Sequence, residues 1–153
     1  MKRALAAVGA TALIVALGLG WTGIPAAGPL PDLVQGRVLY AENCAACHGA
    51  QLQGQPDWRT PGADGLLPAP PHDATGHTWH HSDRVLFSYT KLGGKAFLAQ
   101  QGAVFDSGMP GFGDMLTDRQ IADILGYIRS TWPEDIRQAQ AERSKADPQD
   151  GAN

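Results

Sequence analysis

The sequence contains little cysteine: Cys44 and Cys47 are the only two among its 153 residues. Two thiols cannot build a framework of several disulfides, and a bond between residues three apart would close too short a loop to add much stability. A structural zinc site needs two further ligands at close spacing, which only the histidines at 72–81 could supply. A thiol–disulfide oxidoreductase places this pair at the start of a helix after a strand. Here the pair ends a predicted helix, and no convincing strand is visible.

An excess of positive charge is also missing. Lys and Arg number 12 against 15 Asp and Glu, for a formal charge of -3, and setting aside Lys2 and Arg3 at the N-terminus leaves -5. No basic stripe runs through the sequence, so we do not expect a nucleic-acid partner. The acidic balance favours solubility and docking through local positive charge.

Only the N-terminus holds a long apolar run. Lys2 and Arg3 precede seventeen uncharged residues, Ala4 to Gly20, which is the layout of a secretory signal. That length is also the lower limit for spanning a bilayer, and Trp21 could lie at the interface. We therefore predict that residues 1–27 are a signal peptide or an N-terminal membrane anchor. Both alternatives place the remainder outside the cytoplasmic membrane.

Residues 28–135 have the size of one small domain. Their capping signals and apolar periodicity predict three or four helices, among them 31–43 after Asp32, 82–94 after Ser82 and 117–133 with a Thr117–Gln120 capping box. The 19 Gly and 11 Pro predict long loops at 49–71 and 95–116. Residues 136–153 are predicted to be a polar tail that extends a helix briefly and then frays. Such a small predicted apolar core indicates that a further buried group fills the centre of the domain.

A glycine interrupts the first predicted helix. Gly36 costs about 1 kcal/mol there relative to alanine. Either another helix approaches closely at this point, or the glycine is merely tolerated.

His48 directly follows the cysteine pair, in the stretch "AENCAACHGAQ". Two thiols one helical turn apart can add to the two vinyl groups of a protoporphyrin, and the next residue then offers an imidazole nitrogen to the iron. Export agrees with this chemistry, because c-type haem is attached outside the cytoplasmic membrane in bacteria. We predict one covalent haem c bound through Cys44, Cys47 and His48.

The sixth iron position determines what such a haem does. The candidates are Met109, Met115 and the histidines at 72, 77, 80 and 81. Met109 lies in a loop just before the best-defined helix, whereas Met115 is better interpreted as core filler. A filled position leaves electron transfer, and an open one would permit weak peroxidase chemistry or gas sensing.

Two stretches carry a resemblance. "GRVLYAENCAACHG" and "MPGFGDMLTDRQIADILGYIRSTW" resemble the N-terminal helix with its haem motif, and the axial-methionine loop with its C-terminal helix, of class I single-haem c-type cytochromes. The resemblance covers residues 31–133. It implies an all-α fold: a small cytochrome c fold of three to four helices whose long Gly/Pro loops wrap around one covalent haem. His48 and Met109 would be the axial ligands.

The resemblance also implies helix packing, a hydrogen bond behind the iron ligand and an apolar surrounding for the ring. Gly36 and Tyr40 would pack across the C-terminal helix near Ile124 and Tyr127. A proline carbonyl would accept the N–H of His48, with Pro70 the best match and Pro71 or Pro68 as alternatives. The expected apolar shell around the ring is Leu39, Leu67, Phe87, Phe97, Phe112 and Leu116.

Four of the five histidines lie in "PPHDATGHTWHHSD". The segment is interpreted as a solvated loop in which Trp79 covers the haem. Alternatively, residues 72–81 form a second metal site for copper or zinc, or a protonatable docking surface.

Together these features predict an electron-transfer protein and no enzyme, located in the periplasm, either soluble or anchored to the inner membrane. It would carry electrons from a respiratory or photosynthetic quinol-oxidising complex or a dehydrogenase to a terminal oxidase or reductase. Candidate docking charges are Lys91, Lys95, Arg59 and Arg84. The alternatives are a copper-handling haem protein and, if Met109 does not bind the iron, a peroxidase or gas sensor.

Overall fold

The structure, a computed structural model, describes residues 29–103 and 106–147, and within them it contains helices and no strands. The helices are α1 (Leu33–Asn43), α2 (Ala45–His48), α3 (Asp83–Leu92), α4 (Gly94–Gln100), α5 (Asp118–Ser130) and α6 (Glu134–Ala146), with a 3₁₀ turn at Thr78–His80. The all-α prediction is confirmed. The predicted signal or anchor, residues 1–27, lies outside the described residues. Among those described, no helix has the length and apolar character needed to cross a membrane.

Helices α1 and α5 cross in close contact. Helix α1 begins after Asp32, whose carboxylate accepts hydrogen bonds from the backbone N–H groups of Val34 and Gln35, as its capping role predicts. A Cβ at Gly36 would lie 2.0 Å from the carbonyl oxygen of Asp123, so the mid-helix glycine allows this approach. The close-approach alternative is therefore confirmed.

The same crossing contains a second link. The backbone N–H of Asp32 donates to the buried carboxylate of Asp123 over 2.8 Å. The rings of Tyr40 and Tyr127 also pack together, with centroids 5.6 Å apart, as the resemblance implies. Helices α1 and α5 thus form a fixed frame from which the loops extend.

The buried apolar core is contributed by α1, α5 and the loops between. Its members are Leu39, Tyr40, Leu52, Phe112, Leu116, Ile121, Ile124, Ile128 and Trp132. Of the expected shell, Leu39, Phe97, Phe112 and Leu116 are buried and Phe87 is partly buried against the core. The prediction that Leu67 belongs to this shell is wrong, since Leu67 is 36% exposed. It follows a turn closed by Gly62 N–H donating to the carbonyl of Leu66, and this turn leaves it at the surface.

Helix α4 corrects the prediction of a loop over 95–116. Seven residues from Gly94 to Gln100 are helical, a length that local propensity alone does not stabilise. Phe97 is buried and its ring packs against Tyr89 of α3 at a centroid distance of 5.5 Å. Tertiary packing therefore makes this helix.

Helix α6 corrects the expectation that the tail beyond Pro133 extends a helix only briefly. It runs for 13 residues and docks through polar contacts. Gln140 is fully buried, and its side-chain amide donates to the carboxylate of Asp83 over 2.8 Å and to the carbonyl of His81 over 3.2 Å. Ser144 accepts from the backbone N–H of Asp83 over 2.9 Å. Buried hydrogen bonds, which an apolar pattern cannot reveal, hold the tail in place.

Candidate functional site

The two cysteines lie where α1 ends and α2 begins. Cys44 ends α1, and α2 carries Cys47 and His48, with the backbone N–H of His48 bonded to the carbonyl of Cys44 over 2.9 Å. Both thiols are free, Cys47 exposed and Cys44 partly buried. Burial raises the pKa of Cys44 to about 11, and the nearby Cys47 adds to the shift. The pair is available for thioether bonds.

The imidazole of His48 is buried and oriented from one side. Its Nδ1 lies 2.8 Å from the carbonyl oxygen of Pro70. A carbonyl only accepts, so Nδ1 carries the proton and Nε2 keeps its lone pair. Burial lowers the pKa of His48, partly opposed by the bond to Pro70. The neutral ring thus presents Nε2 as a metal donor, and of the three prolines considered, Pro70 makes the contact.

Backbone hydrogen bonds hold the Pro70–His72 segment against His48. The N–H of His72 donates to the carbonyl of Leu52 over 2.7 Å, and the carbonyl of His72 accepts from Trp132 Nε1 over 2.7 Å. The N–H of Gly54 donates to the carbonyl of His48 over 2.8 Å. The two bonds of His72 join the segment to distant parts of the chain, and the third joins His48 to the loop that follows it.

Two glycines pack directly against Pro71. A Cβ at Gly76 would lie 2.0 Å from the carbonyl oxygen of Pro71. One at Gly54 would lie 2.4 Å from the nitrogen of Pro71, and Gly54 also has φ of +69°, which favours glycine. Gly54 and Gly76 therefore form a cradle around Pro71, and neither position has room for a side chain.

The prediction that His72 lies in a solvated loop is wrong. Its ring stacks on His48 with centroids 3.9 Å apart and planes inclined by 23°. Its Nδ1 lies 2.8 Å from the hydroxyl of Thr78. Burial lowers the pKa of His72 well below its usual range, and His48 and His77 add to the effect. The sequence contained one signal for this position, because a carbonyl at Pro70 bonded to His48 brings residue 72 close.

Met109 lies on the loop that follows α4. Its backbone N–H donates to the hydroxyl of Ser107 over 3.3 Å, and its carbonyl accepts from the N–H of Gly94 over 3.0 Å. The side chain is partly buried against the core. Met115 is 65% exposed, so its interpretation as core filler is wrong. Of the two methionines, Met109 is the one that packs inward.

The candidate donors match the chemistry of a haem c. They are two thiols, one neutral imidazole nitrogen and one thioether, which are ligands suited to covalent haem and its iron. Trp79 supplies an independent observation: its Nε1 is buried and has no hydrogen-bond partner among the described residues. An unsatisfied buried donor costs about 1–3 kcal/mol, and a group that carries carboxylates would satisfy it. The residues present fit a haem.

The remaining histidines form ring pairs. His77 and His81 contact edge to face at 5.5 Å, and His80 stacks on Trp79 at 3.7 Å. Within residues 29–103 and 106–147, no three or more His, Cys, Asp or Glu side chains are arranged to hold a metal ion. The alternative of a second metal site at 72–81 therefore gains no support from the described residues.

The four candidate docking charges differ in their contacts. Three are engaged within the protein: Lys91 with Asp118 at 2.7 Å, Arg84 with Asp147 at 2.9 Å, and Arg59 over the Trp58 ring at 4.0 Å. Lys95 is 80% exposed and reaches Asp106 only at 3.6 Å. It is the least engaged of the four.

Comparison with known proteins agrees with this site. Residues 33–132 match the sequence model of the cytochrome c family. The chain is 31% identical over 109 residues to the gluconate 2-dehydrogenase cytochrome c subunit of Pantoea cypripedii, a match that covers 66% of this chain and 21% of that relative. The chain thus spans about a fifth of the length of this curated relative. No solved structure matches the chain significantly.

Proposed function

Since the chain belongs to the cytochrome c family, we propose that it is a single-haem electron carrier of the bacterial periplasm and has no enzymatic activity of its own. It passes one electron at a time from a quinol-oxidising complex or a dehydrogenase to a terminal oxidase or reductase. The observation that carries the proposal is the 2.8 Å bond from His48 Nδ1 to Pro70, because it leaves Nε2 free beside two unpaired thiols.

Different residues would hold the porphyrin and the iron of the cofactor. Cys44 and Cys47 would form the thioether bonds, and His48 and Met109 would supply the nitrogen and sulfur ligands of the iron. A bound haem c supplies an iron that alternates between the ferrous and ferric states.

Groups of the chain itself would then set the reduction potential of the iron. The carbonyl of Pro70 raises the basicity of His48 by accepting a hydrogen bond from its Nδ1–H. The thioether of Met109 is a weak donor that favours ferrous iron, so it raises the potential relative to two histidines. The buried core, including Leu39 and Phe112, excludes water and disfavours the extra charge of ferric iron.

The similarity to a dehydrogenase cytochrome subunit supports a dehydrogenase as the electron donor. Export would be directed by residues 1–27, as a cleaved signal or as a retained anchor that keeps the domain at the inner membrane. Lys95, the least engaged docking candidate, is suited to contact a partner carboxylate.

The first test is the mass of the mature protein after expression with a c-type maturation system. One haem adduct that survives acid acetone is expected, together with an N-terminus that shows whether the leader is cut. A colourless protein, or pigment that acid acetone extracts, would contradict the proposal.

The second test compares the two methionines. In the ferric wild type we expect low-spin iron and a sulfur-to-iron charge-transfer band in the near infrared. Met109→Ala should lose the band, while Met115→Ala, at an exposed position, should keep it. High-spin iron in the wild type would instead favour the peroxidase or gas-sensor alternative.

A further inference from the structure

The proposed function leaves one polar group beside the iron ligand unused. The imidazole of His72 lies face to face with that of His48, with ring centroids 3.9 Å apart. We propose that His72 is a positioning residue, which fixes the plane of the His48 ring and is itself fixed by Thr78. The proposal rests on the function given above, because the ring plane matters only if His48 binds iron.

One hydrogen bond does not determine the orientation of a ring. The bond from Nδ1 to Pro70 holds one corner of the His48 imidazole, and the ring can still tilt about the line of that bond. A flat group packed parallel to it at van der Waals distance blocks the tilt. The 23° inclination between the rings of His48 and His72 corresponds to such a contact.

The blocking group must itself be held. The backbone of His72 is bonded on both sides, to the carbonyl of Leu52 and to the indole of Trp132. Its side chain is held by Thr78, whose hydroxyl lies 2.8 Å from Nδ1. A hydrogen bond at a ring nitrogen lies in the ring plane, so this bond, together with the two backbone bonds, restricts rotation of the His72 ring.

The hydroxyl of Thr78 has partners on two sides. It is buried, and it lies 3.4 Å from the carbonyl of Pro71, to which its single proton can point. Its oxygen then accepts from Nδ1–H of His72, which remains neutral. Orientation therefore passes from Thr78 to His72 and from His72 to His48.

The plane of an axial imidazole has a measurable consequence. It selects the iron orbital with which the ring interacts, and so it governs the anisotropy of the ferric electron paramagnetic resonance (EPR) signal and the spread of the paramagnetically shifted haem methyl resonances. Groups behind a ligand commonly act on a metal by fixing such an orientation. A residue that only filled space would not move these signals.

The test uses the matured haem protein with Thr78→Val, which removes the hydroxyl, and Thr78→Ser, which keeps it. We expect changed EPR g values and methyl shifts in Thr78→Val and wild-type values in Thr78→Ser. His72→Leu should change both signals further, since the stacked ring is gone. If the His72→Leu protein does not accumulate, the comparison of Thr78→Val with Thr78→Ser is sufficient to test the proposal.

Two comparisons separate positioning from simple destabilisation. Ser144→Ala removes another buried hydroxyl that touches neither histidine, so it should lower the melting temperature and leave the EPR spectrum unchanged. A Thr78→Val spectrum identical to wild type, with only a lower melting temperature, overturns the proposal. The proposed function fails separately, if wild-type protein carries no covalent haem or no low-spin signal.

Discussion

The two sides of the candidate site are built differently. On the His48 side, hydrogen bonds join Pro70 and His72 to residues as distant in sequence as Trp132, and two glycines pack against the proline segment. On the Met109 side, the contacts come from the adjacent helices: Gly94 of α4 donates to the carbonyl of Met109, and Thr90 and Lys91 of α3 accept from the loop backbone. One proposed ligand is held by contacts as distant in sequence as Trp132, and the other by the two helices next to its loop.

This difference has a functional meaning. A ligand fixed by many distant contacts changes position only if the fold loosens, so changes there should cost stability first. A ligand on a loop held mainly by adjacent helices can weaken while the rest stays folded. We therefore expect ligation to respond to small changes on the Met109 side.

The largest effect is expected in the cradle on the His48 side. Gly76→Ala would bring a Cβ to 2.0 Å from the carbonyl of Pro71, so it should lower the free energy of unfolding by about 3 kcal/mol, the upper range for overpacking. A sterically open control on the other side is Gly108→Ala, whose Cβ would meet Leu66 at an ordinary 3.4 Å. Denaturant titration of both holoproteins measures the contrast. Equal losses would refute it.

A smaller loss is expected from Trp132→Phe. The substitution keeps a buried ring but removes the 2.7 Å bond to the carbonyl of His72, at a cost of about 1–2 kcal/mol. Trp58→Phe, which changes a partly exposed ring without such a bond, should cost less than about 0.5 kcal/mol. Thermal unfolding in parallel compares them, and a Trp132→Phe protein as stable as wild type would show that the bond does not contribute.

On the Met109 side, Ser107→Ala should affect ligation more than folding. The hydroxyl accepts from the N–H of Met109 and lies 2.8 Å from the hydroxyl of Tyr89. Removing it should cost about 1 kcal/mol or less of global stability. The near-infrared sulfur band should nevertheless disappear at a lower temperature than the far-ultraviolet signal of the helices. Simultaneous loss of both signals would mean that the loop is not independently adjustable.

The smallest effect is expected from pH, in the segment next to the His48 side. Burial lowers the pKa of His81 below its ordinary 6.5, with His77, His80 and Arg143 adding to the shift. The unfolded state then binds more protons, so this contribution to stability is complete above pH 6.5 and is lost as the pH falls below it. His81→Gln should flatten this part of the stability curve. An unchanged slope between pH 7.5 and 5 in the variant would contradict the assignment.

Local rules predicted the frame of the molecule well. Asp32, Ser82 and Thr117 cap the helices that they were expected to cap, because an N-cap depends only on residues within one turn. Gly36 indicated a close helix crossing, since such a glycine is costly unless space is short. The contact of Pro70 with His48 followed from the resemblance.

What the sequence could not predict depends on partners distant in the chain. Helix α4 exists because Phe97 is buried against α3, and helix α6 because Gln140 finds buried polar partners. Neither contact produces an apolar period. His72 differs from the other histidines of its segment because it stacks on His48, and residue type alone could not separate them.

The unequal exposure of the two methionines has a protective effect. Thioethers are oxidised to sulfoxides according to their access to solvent, and Met115 is 65% exposed whereas Met109 packs inward. A mild oxidant should therefore consume Met115 first and spare the sulfur that we propose as an iron ligand. The outer methionine would act as a scavenger for the inner one, and reductive repair could restore it without opening the fold.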